Sequence, residues 1–270
     1  MTVKFSESLQ GFHALTLTQL NAQASFLKRI DRKFLLTNSE FWEFLQELKN
    51  DFQVLEIWGK KVFSYDNIYM DTQDYLFYNQ HQNKLKSRTK VRTRLYEDAQ
   101  MAFFEYKQKI NGVTQKFRYQ FPVEEHGTMT KWKTRFFEWV WQSMYQGDPQ
   151  APKISPAMKT KYNRITLVEK NGWERLTIDF NIQTLDLRDP EAENVELKNL
   201  VIVESKSLAE NCKSLEILKK NHKKQASSCS KYSLWIVYAG LAKKYSTFKK
   251  TIAEIEEIKA QIQEENKKIK

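Results

Sequence analysis

SRTKVRTRLY, residues 87–96, places Arg88, Lys90, Arg92 and Arg94 at every second position, with Val91 among the residues between them. A strand sends successive side chains to opposite faces, so the four cations line one face and Val91 the other. Three more segments repeat the arrangement: Glu105, Lys107 and Lys109 in FFEYKQKI, Arg175, Thr177 and Asp179 in ERLTIDF, and Glu204 and Lys206 in VIVESKS. In these, Phe104, Leu176, Ile178 and Val203 turn away from the charges. One such segment alone reads as the solvated face of a half-covered sheet. Four with a shared basic bias read as one cationic surface. Isolated buried charges cost several kcal/mol each, so that surface is stable only where it stays wet, pairs internally or receives an anion.

Outward from this stretch, strand-like alternation runs through VFSYDNIYMD, MAFFEYKQKI and VTQKFRYQFP, and the Asn111-Gly112 pair between the last two is a strong hairpin signal. After a loop marked by Asp148-Pro149, Pro152 and Pro156, strands resume in YNRITLVEK, WERLTIDFNI and LVIVESKS, with turns at Asn171-Gly172 and Arg188-Asp189-Pro190. Upstream, residues 5–28 read as a helical lead-in carrying Leu9, Phe12, Leu15 and Leu20. RIDRKFLLT reads as a strand, and Asn38-Ser39 as the cap of a helix with Phe41, Phe44, Leu45 and Leu48 on one side. TMTKWKTRFFEWVWQSMYQ predicts a helix whose Trp132, Phe136, Trp139, Val140 and Met144 form a core stripe. Beyond Glu210 the pattern is helical. Residues 241–270 lack Gly and Pro and line up Ile252, Ile255, Ile258 and Ile262, which predicts an exposed or packing helix, with self-association or a helical partner as the alternative. Strands joined as hairpins rather than by crossover helices point to an α+β, antiparallel architecture.

Composition narrows the partner. The 270 residues, 41% hydrophobic and 13% aromatic, suffice for one large domain or a domain with an appendage, and a net charge of +11 favours phosphate-bearing ligands. The start of the chain shows no signal-peptide pattern and LWIVYAGLA is too short to span a membrane, so a soluble cytoplasmic protein is expected. Cys212 and Cys229 fit neither a zinc site nor a disulfide framework. Phosphate-cradling and catalytic signatures are missing, and seven glycines leave little material for a phosphate loop. If phosphate is held, side chains hold it, arginine by its two-pronged fork and lysine as a mobile point charge.

Closing the sheet into a barrel would gather the alternating positions into one lumen. Arg88, Lys90, Arg92, Arg94, Lys107, Lys109, Lys116, Arg118, Arg175 and Lys206 would then face only Asp31, Glu105, Asp179 and Glu204. A linear polyanion compensates that excess; a neutral molecule does not. The few acids would pair with cations or hold a divalent metal. A polyanion- or RNA-binding protein is a competing reading, although the aromatics alternate mostly to the face opposite the charges, away from any base.

At these residues the chain resembles the VTC domain, the polyphosphate polymerase domain of the vacuolar transporter chaperone complex and its stand-alone bacterial relatives, within the triphosphate tunnel metalloenzyme superfamily. The resemblance runs from about residue 25 to 240 through R-I-D-R-K-F, N-I-Y-M-D-T-Q-D, R-T-K-V-R-T-R-L-Y, F-E-Y-K, K-F-R, Y-N-R, E-R-L-T-I-D, V-I-V-E-S-K and S-K-Y. It implies a closed eight-stranded antiparallel β-tunnel with helices outside; with the helical lead-in this domain takes residues 1–240, and the charged helix read from the pattern of 241–270 follows it. It further implies catalytic roles for Lys33, Arg92, Arg94, Lys107 and Arg175, and phosphate-chain contacts from Arg29, Lys90, Lys109, Lys116, Arg118, Arg164, Lys206 and Lys231. Glu204 would ligate Mn2+ or Mg2+. ATP and polyphosphate or triphosphate would be the ligands, with no nucleic acid.

Hydrolytic members of that superfamily carry E-x-E-x-K in the first strand, where this chain has Arg29-Ile30-Asp31-Arg32-Lys33, and the late strand here reads Glu204-Ser205-Lys206. Cations in place of acids weaken metal-assisted activation of water and strengthen retention of a polyanion. The balance favours γ-phosphoryl transfer from ATP to a growing chain, with a triphosphate hydrolase of the same fold as the alternative.

Overall fold

The computed structural model describes residues 8–23, 29–145, 150–197 and 199–268. Its elements are β1 (His13–Leu15), α1 (Leu17–Gln23), β2 (Ile30–Thr37), α2 (Asn38–Leu48), β3 (Phe52–Leu55), β4 (Phe63–Asp71), α3 (Leu76–Gln82), β5 (Ser87–Tyr96), β6 (Met101–Ile110), β7 (Val113–Phe121), α4 (Lys131–Met144), β8 (Ser155–Glu169), β9 (Glu174–Asp186), β10 (Val195–Leu197), β11 (Leu200–Ser207), α5 (Lys213–Lys220), α6 (Lys231–Tyr238) and α7 (Lys249–Lys268).

Asn111 and Gly112, with φ of 48° and 91°, form the two-residue turn that sets Ile110 opposite Val113. Left-handed conformations at both positions match the twist of the flanking strands, which is why this pair is a hairpin signal. The antiparallel path runs β2, β11, β9, β8, β4, β5, β6, β7. Register shifts between Tyr69 and Met70 and between Lys161 and Asn163 mark bulges that bend the sheet. The charged face lies on the concave side. The opposite face is core: Phe34, Val203, Ile178 and Leu176 pack beneath α2 and α5, and Val91, Phe104 and Tyr106 beneath α4.

The expected closed eight-stranded tunnel needs correction. The eight-strand path is present, but among the described residues β2 and β7 end it without pairing to each other, and β1, β3 and β10 enlarge the sheet to eleven strands. Part of the free edge of β2 is already taken, because the Ala226 amide donates to the Lys33 carbonyl at 2.8 Å.

The lead-in is not one helix either. Leu9, Phe12, Leu15 and Leu20 are buried as their spacing suggests, yet β1 interrupts the segment to pair in parallel with β3. Residues 5–7 and 24–28 of that lead-in, and the Asp148-Pro149 loop, lie outside the described residues. The cap of α2 is Thr37, one residue earlier than expected: its hydroxyl accepts from the Glu40 amide, and the Glu40 carboxylate accepts from the Thr37 amide.

The stripe on α4 is rotated. Trp132 and Trp139 are 71% and 58% exposed, while Lys133, Phe137, Val140 and Trp141 face the core. Lys133 can be buried because its ammonium donates to the carbonyls of Glu125 (2.6 Å) and Thr128 (2.8 Å) and lies 3.8 Å from the centre of the Phe121 ring. α7 packs on the body through Ile255 and Ile258; the Ile262 side chain lies outside the described residues.

Candidate functional site

Three carboxylates organise the concave face, each brought there by strand alternation and each surrounded by cations from its own strand, neighbouring strands or α6. Glu105 on β6 receives Arg92 at 2.6 Å and the ammonium of Lys116, with Arg94 at 3.9 Å. Asp179 on β9 receives a two-pronged contact from Arg164, at 2.6 and 2.8 Å, and the ammonium of Lys231. Glu204 on β11 receives Lys33 at 2.9 Å and Lys206 at 3.4 Å. Burial alone would raise these acids. The adjoining cations outweigh it, holding Asp179 at about 2, and Glu105 and Glu204 below the ordinary carboxylate range.

Other cations stand on the same face without an acid. Lys90 donates to the Ser230 hydroxyl at 2.8 Å; burial and the neighbouring Lys107 and Lys33 push it down to about 7. Burial also lowers Lys107, against the opposing pull of Glu204 and Asp31. The field of Glu204 and Asp31 at Lys107 places β6 close to β2 and β11 across the lumen, despite the open seam. Arg175 is lowered by burial and by Arg29, and its Nε, like the Thr177 hydroxyl two residues on, is buried without a hydrogen-bond partner. Buried donors left unsatisfied cost about 1–3 kcal/mol each, so this corner of the lumen is built for an acceptor.

The remaining predicted residues divide. Lys206 is lowered to about 8 by burial, which the Glu204 attraction only partly offsets. Lys109 lies opposite Arg88 on the β5–β6 wall, and Arg118 stacks 4.8 Å over Phe103. Arg29 pairs with Asp31 at 3.1 Å at the exposed rim, apart from the three centres.

The charged face also carries rings, beside the larger set that lies behind the sheet as the alternation predicts. Tyr65 and Tyr162 stack at 5.3 Å, Tyr65 and Tyr96 lie 5.0 Å apart, and Arg94 and Arg164 lie over the Tyr65 ring at 5.4 and 5.0 Å. Arg94 also donates to Asn67 at 2.9 Å and Arg92 to the Tyr69 hydroxyl at 3.3 Å. These tyrosines hold the guanidinium planes in place by cation–π contact and hydrogen bonding. The signal was present in FSYDNIYMD, where Tyr65, Asn67 and Tyr69 alternate in phase with Arg92 and Arg94 across the ladder.

Residues 28–238 match the family model of the VTC domain. The chain belongs to the VTC domain family. A comparison with curated proteins finds no match. Solved structures similar to this VTC domain include a putative adenylate cyclase from Bacillus halodurans, at 15% identity over 75% of this chain and 94% of that one, with a TM-score of 0.43. Two others are the PH1819 protein from Pyrococcus horikoshii (11%, 78% and 99%, 0.43) and a putative adenylyl cyclase from Hippeastrum described as having a dominant triphosphatase activity (13%, 79% and 96%, 0.49).

Two motifs of the VTC domain meet in space. Asp71 of N-I-Y-M-D-T accepts the Tyr232 hydroxyl of S-K-Y at 2.5 Å and the amides of Phe77 and Tyr78. That joint fixes α6 and thereby aims Lys231 at Asp179. Among the described residues, no three His, Cys, Asp or Glu side chains stand together as a cage for a cation. Glu105 and Asp179 are 2% exposed and committed to cations, whereas Glu204 keeps 18%. The donor set fits a divalent ion that takes one carboxylate oxygen from Glu204 and its other ligands from phosphate and water, and does not fit one caged by protein. No helix among the described residues is long and apolar enough to cross a membrane.

Proposed function

We propose that this VTC domain is a polyphosphate polymerase that moves the γ-phosphoryl group of ATP onto the end of a phosphate chain held in the cationic lumen. The observation that carries this reading is the allocation of acids. Glu105, Asp179 and Glu204 are each already engaged by two or more cations, and Asp31 at the rim pairs with Arg29, while among the described residues Lys90, Lys107 and Arg175 have no carboxylate of their own. Such a site retains polyanions better than it activates water.

In this reading Arg92, Arg94, Lys107 and Arg175 neutralise charge on the reacting phosphoryl group, with Lys33, Arg164 and Lys231 holding the chain beside it. A terminal phosphate oxygen attacks the γ-phosphorus in line, the bond to the β-phosphate oxygen breaks, and ADP leaves with the electron pair. A terminal phosphate is already ionised at neutral pH, so no general base is required. A divalent ion, Mn2+ or Mg2+, bound with the nucleotide would add charge neutralisation on the transferred group, with Glu204 as its protein ligand. The rings beside the arginines are engaged by them and by one another, which disfavours their use as platforms for stacking bases.

The test is incubation of purified protein with ATP and Mn2+ or Mg2+, followed by gel analysis. Long polyphosphate is expected. Release of orthophosphate alone, across metals and with a phosphate-chain primer, would replace this reading by a triphosphatase.

A further inference from the structure

Alternation along β2 sends Asp31 and Lys33 to the concave face and Arg32 and Phe34 to the opposite one. Behind the strand, on the side away from the lumen, lies a cavity of about 470 Å3, within the range of about 300–1,000 Å3 in which small organic ligands are held. Its apolar wall is Ile30 and Phe34 of β2 with Leu215 of α5, and its cations are Arg32, Lys219 and Lys223. Among the described residues Glu210 is the one acid of the lining. The guanidinium of Arg32 is fixed from behind by two uncharged acceptors, the Ser207 hydroxyl at 3.2 Å and the Glu210 carbonyl at 2.7 Å. Its charge is therefore positioned without being neutralised. Lys223 shares its ammonium with Glu40, whereas Lys219, in the last turn of α5, has no carboxylate partner among the described residues.

We infer that this cavity is a second ligand site, separate from the lumen, for a nucleoside diphosphate. A bare polyanion would leave the apolar wall unused, and an apolar molecule would leave the cations unanswered. A nucleoside diphosphate meets both: its two phosphates span Arg32, Lys219 and Lys223, with the arginine fork donating to two oxygens, and its ring lies against Ile30, Phe34 and Leu215. Asn211 and Gln225 in the same lining each offer an amide donor and acceptor to the edge of the base. A single phosphate has too few oxygens to answer three separate cations, so a monophosphate binds less well. The site needs nothing from the lumen reading. The two share β2 alone: the Ala226 amide, next to Gln225, donates to the carbonyl of Lys33, whose side chain stands in the lumen.

The experiment is isothermal titration of ADP into the wild-type protein already brought to one equivalent of tripolyphosphate, which occupies the lumen. One ADP per chain is expected. Lys219→Glu should weaken it by about 10- to 100-fold, the loss of one charge-assisted contact, and Gln225→Trp, which fills the cavity with a ring, should abolish it. Both positions are exposed, and neither substitution should change the affinity for tripolyphosphate. AMP should bind the same cavity more weakly than ADP. No binding of ADP to the filled protein, or binding that neither substitution weakens, overturns the second site while leaving the lumen reading intact. If tripolyphosphate itself fails to bind, the lumen reading falls, and the ADP titrations of wild type and the two variants still decide the cavity.

Discussion

Lys90 carries a charge that the protein does little to compensate. Its ammonium meets a hydroxyl rather than a carboxylate and is held at about 7 by burial and by Lys107, Lys33 and Arg92, while Lys206 sits at about 8. The folded value lies below that of an ordinary lysine, so in the free protein these ammoniums lose protons as pH rises through 7 to 8. A bound phosphate favours the charged form, so binding above that range draws protons back onto the lysines. At pH 8, calorimetry of tripolyphosphate binding in buffers of different ionisation enthalpy should show less net proton uptake for Lys90→Met than for wild type. Identical proton counts would show that Lys90 does not titrate with the ligand. Much of this was legible from alternation alone, which placed Lys90, Arg92, Lys107 and Glu204 on one face. The pairing was not: which cation answers Glu105 and which Asp179 depends on register across β5, β6 and β7 and across β8 and β9, and Arg164 reaches Asp179 only because β8 and β9 align in that way.

At the scale of elements, α4 shows how a pattern misleads. Helical spacing of apolar residues put Trp132 and Trp139 in the core, yet Lys133 faces inward because two carbonyls and the Phe121 ring satisfy its ammonium. Hydropathy cannot anticipate a lysine whose donors are met by a turn ten residues away or less. Lys133→Ala leaves the Glu125 and Thr128 carbonyls without their donor and should cost about 2–3 kcal/mol, read as a lower urea midpoint. Affinity for tripolyphosphate should not change, since Lys133 lies outside the lumen. An unchanged midpoint would refute the structural role. α6 misleads in another way: KYSLWIVY reads as an ordinary apolar helix, and only the inward turn of Leu35 and Ile202 shows that it fills the end of the lumen. Hairpins joined by turns such as Asn111-Gly112 were fully legible, because their signal is local.

For the whole molecule, the decisive quantity is repulsion held in check. Cations of β5, β6 and β7 face those of β2 and β11 across a seam where, among the described residues, the two end strands do not pair. Whether the first and last strands pair is a long-range fact that local sequence does not encode, and here Ala226 occupies part of the β2 edge. A polyanion relieves the repulsion, so tripolyphosphate at one hundred times its dissociation constant should add about 2.7 kcal/mol, or about 5–10 °C in Tm. AMP at the same concentration should add much less; equal shifts would argue against a site for chained phosphates. The free margin of β7 has a further consequence. An unpaired strand edge is a template on which another chain can add itself, and nature blunts such edges with charge. Lys116 and Arg118 stand on this strand, so the cations that recruit the ligand also make the margin repel its own kind, and solubility and substrate capture draw on the same few side chains.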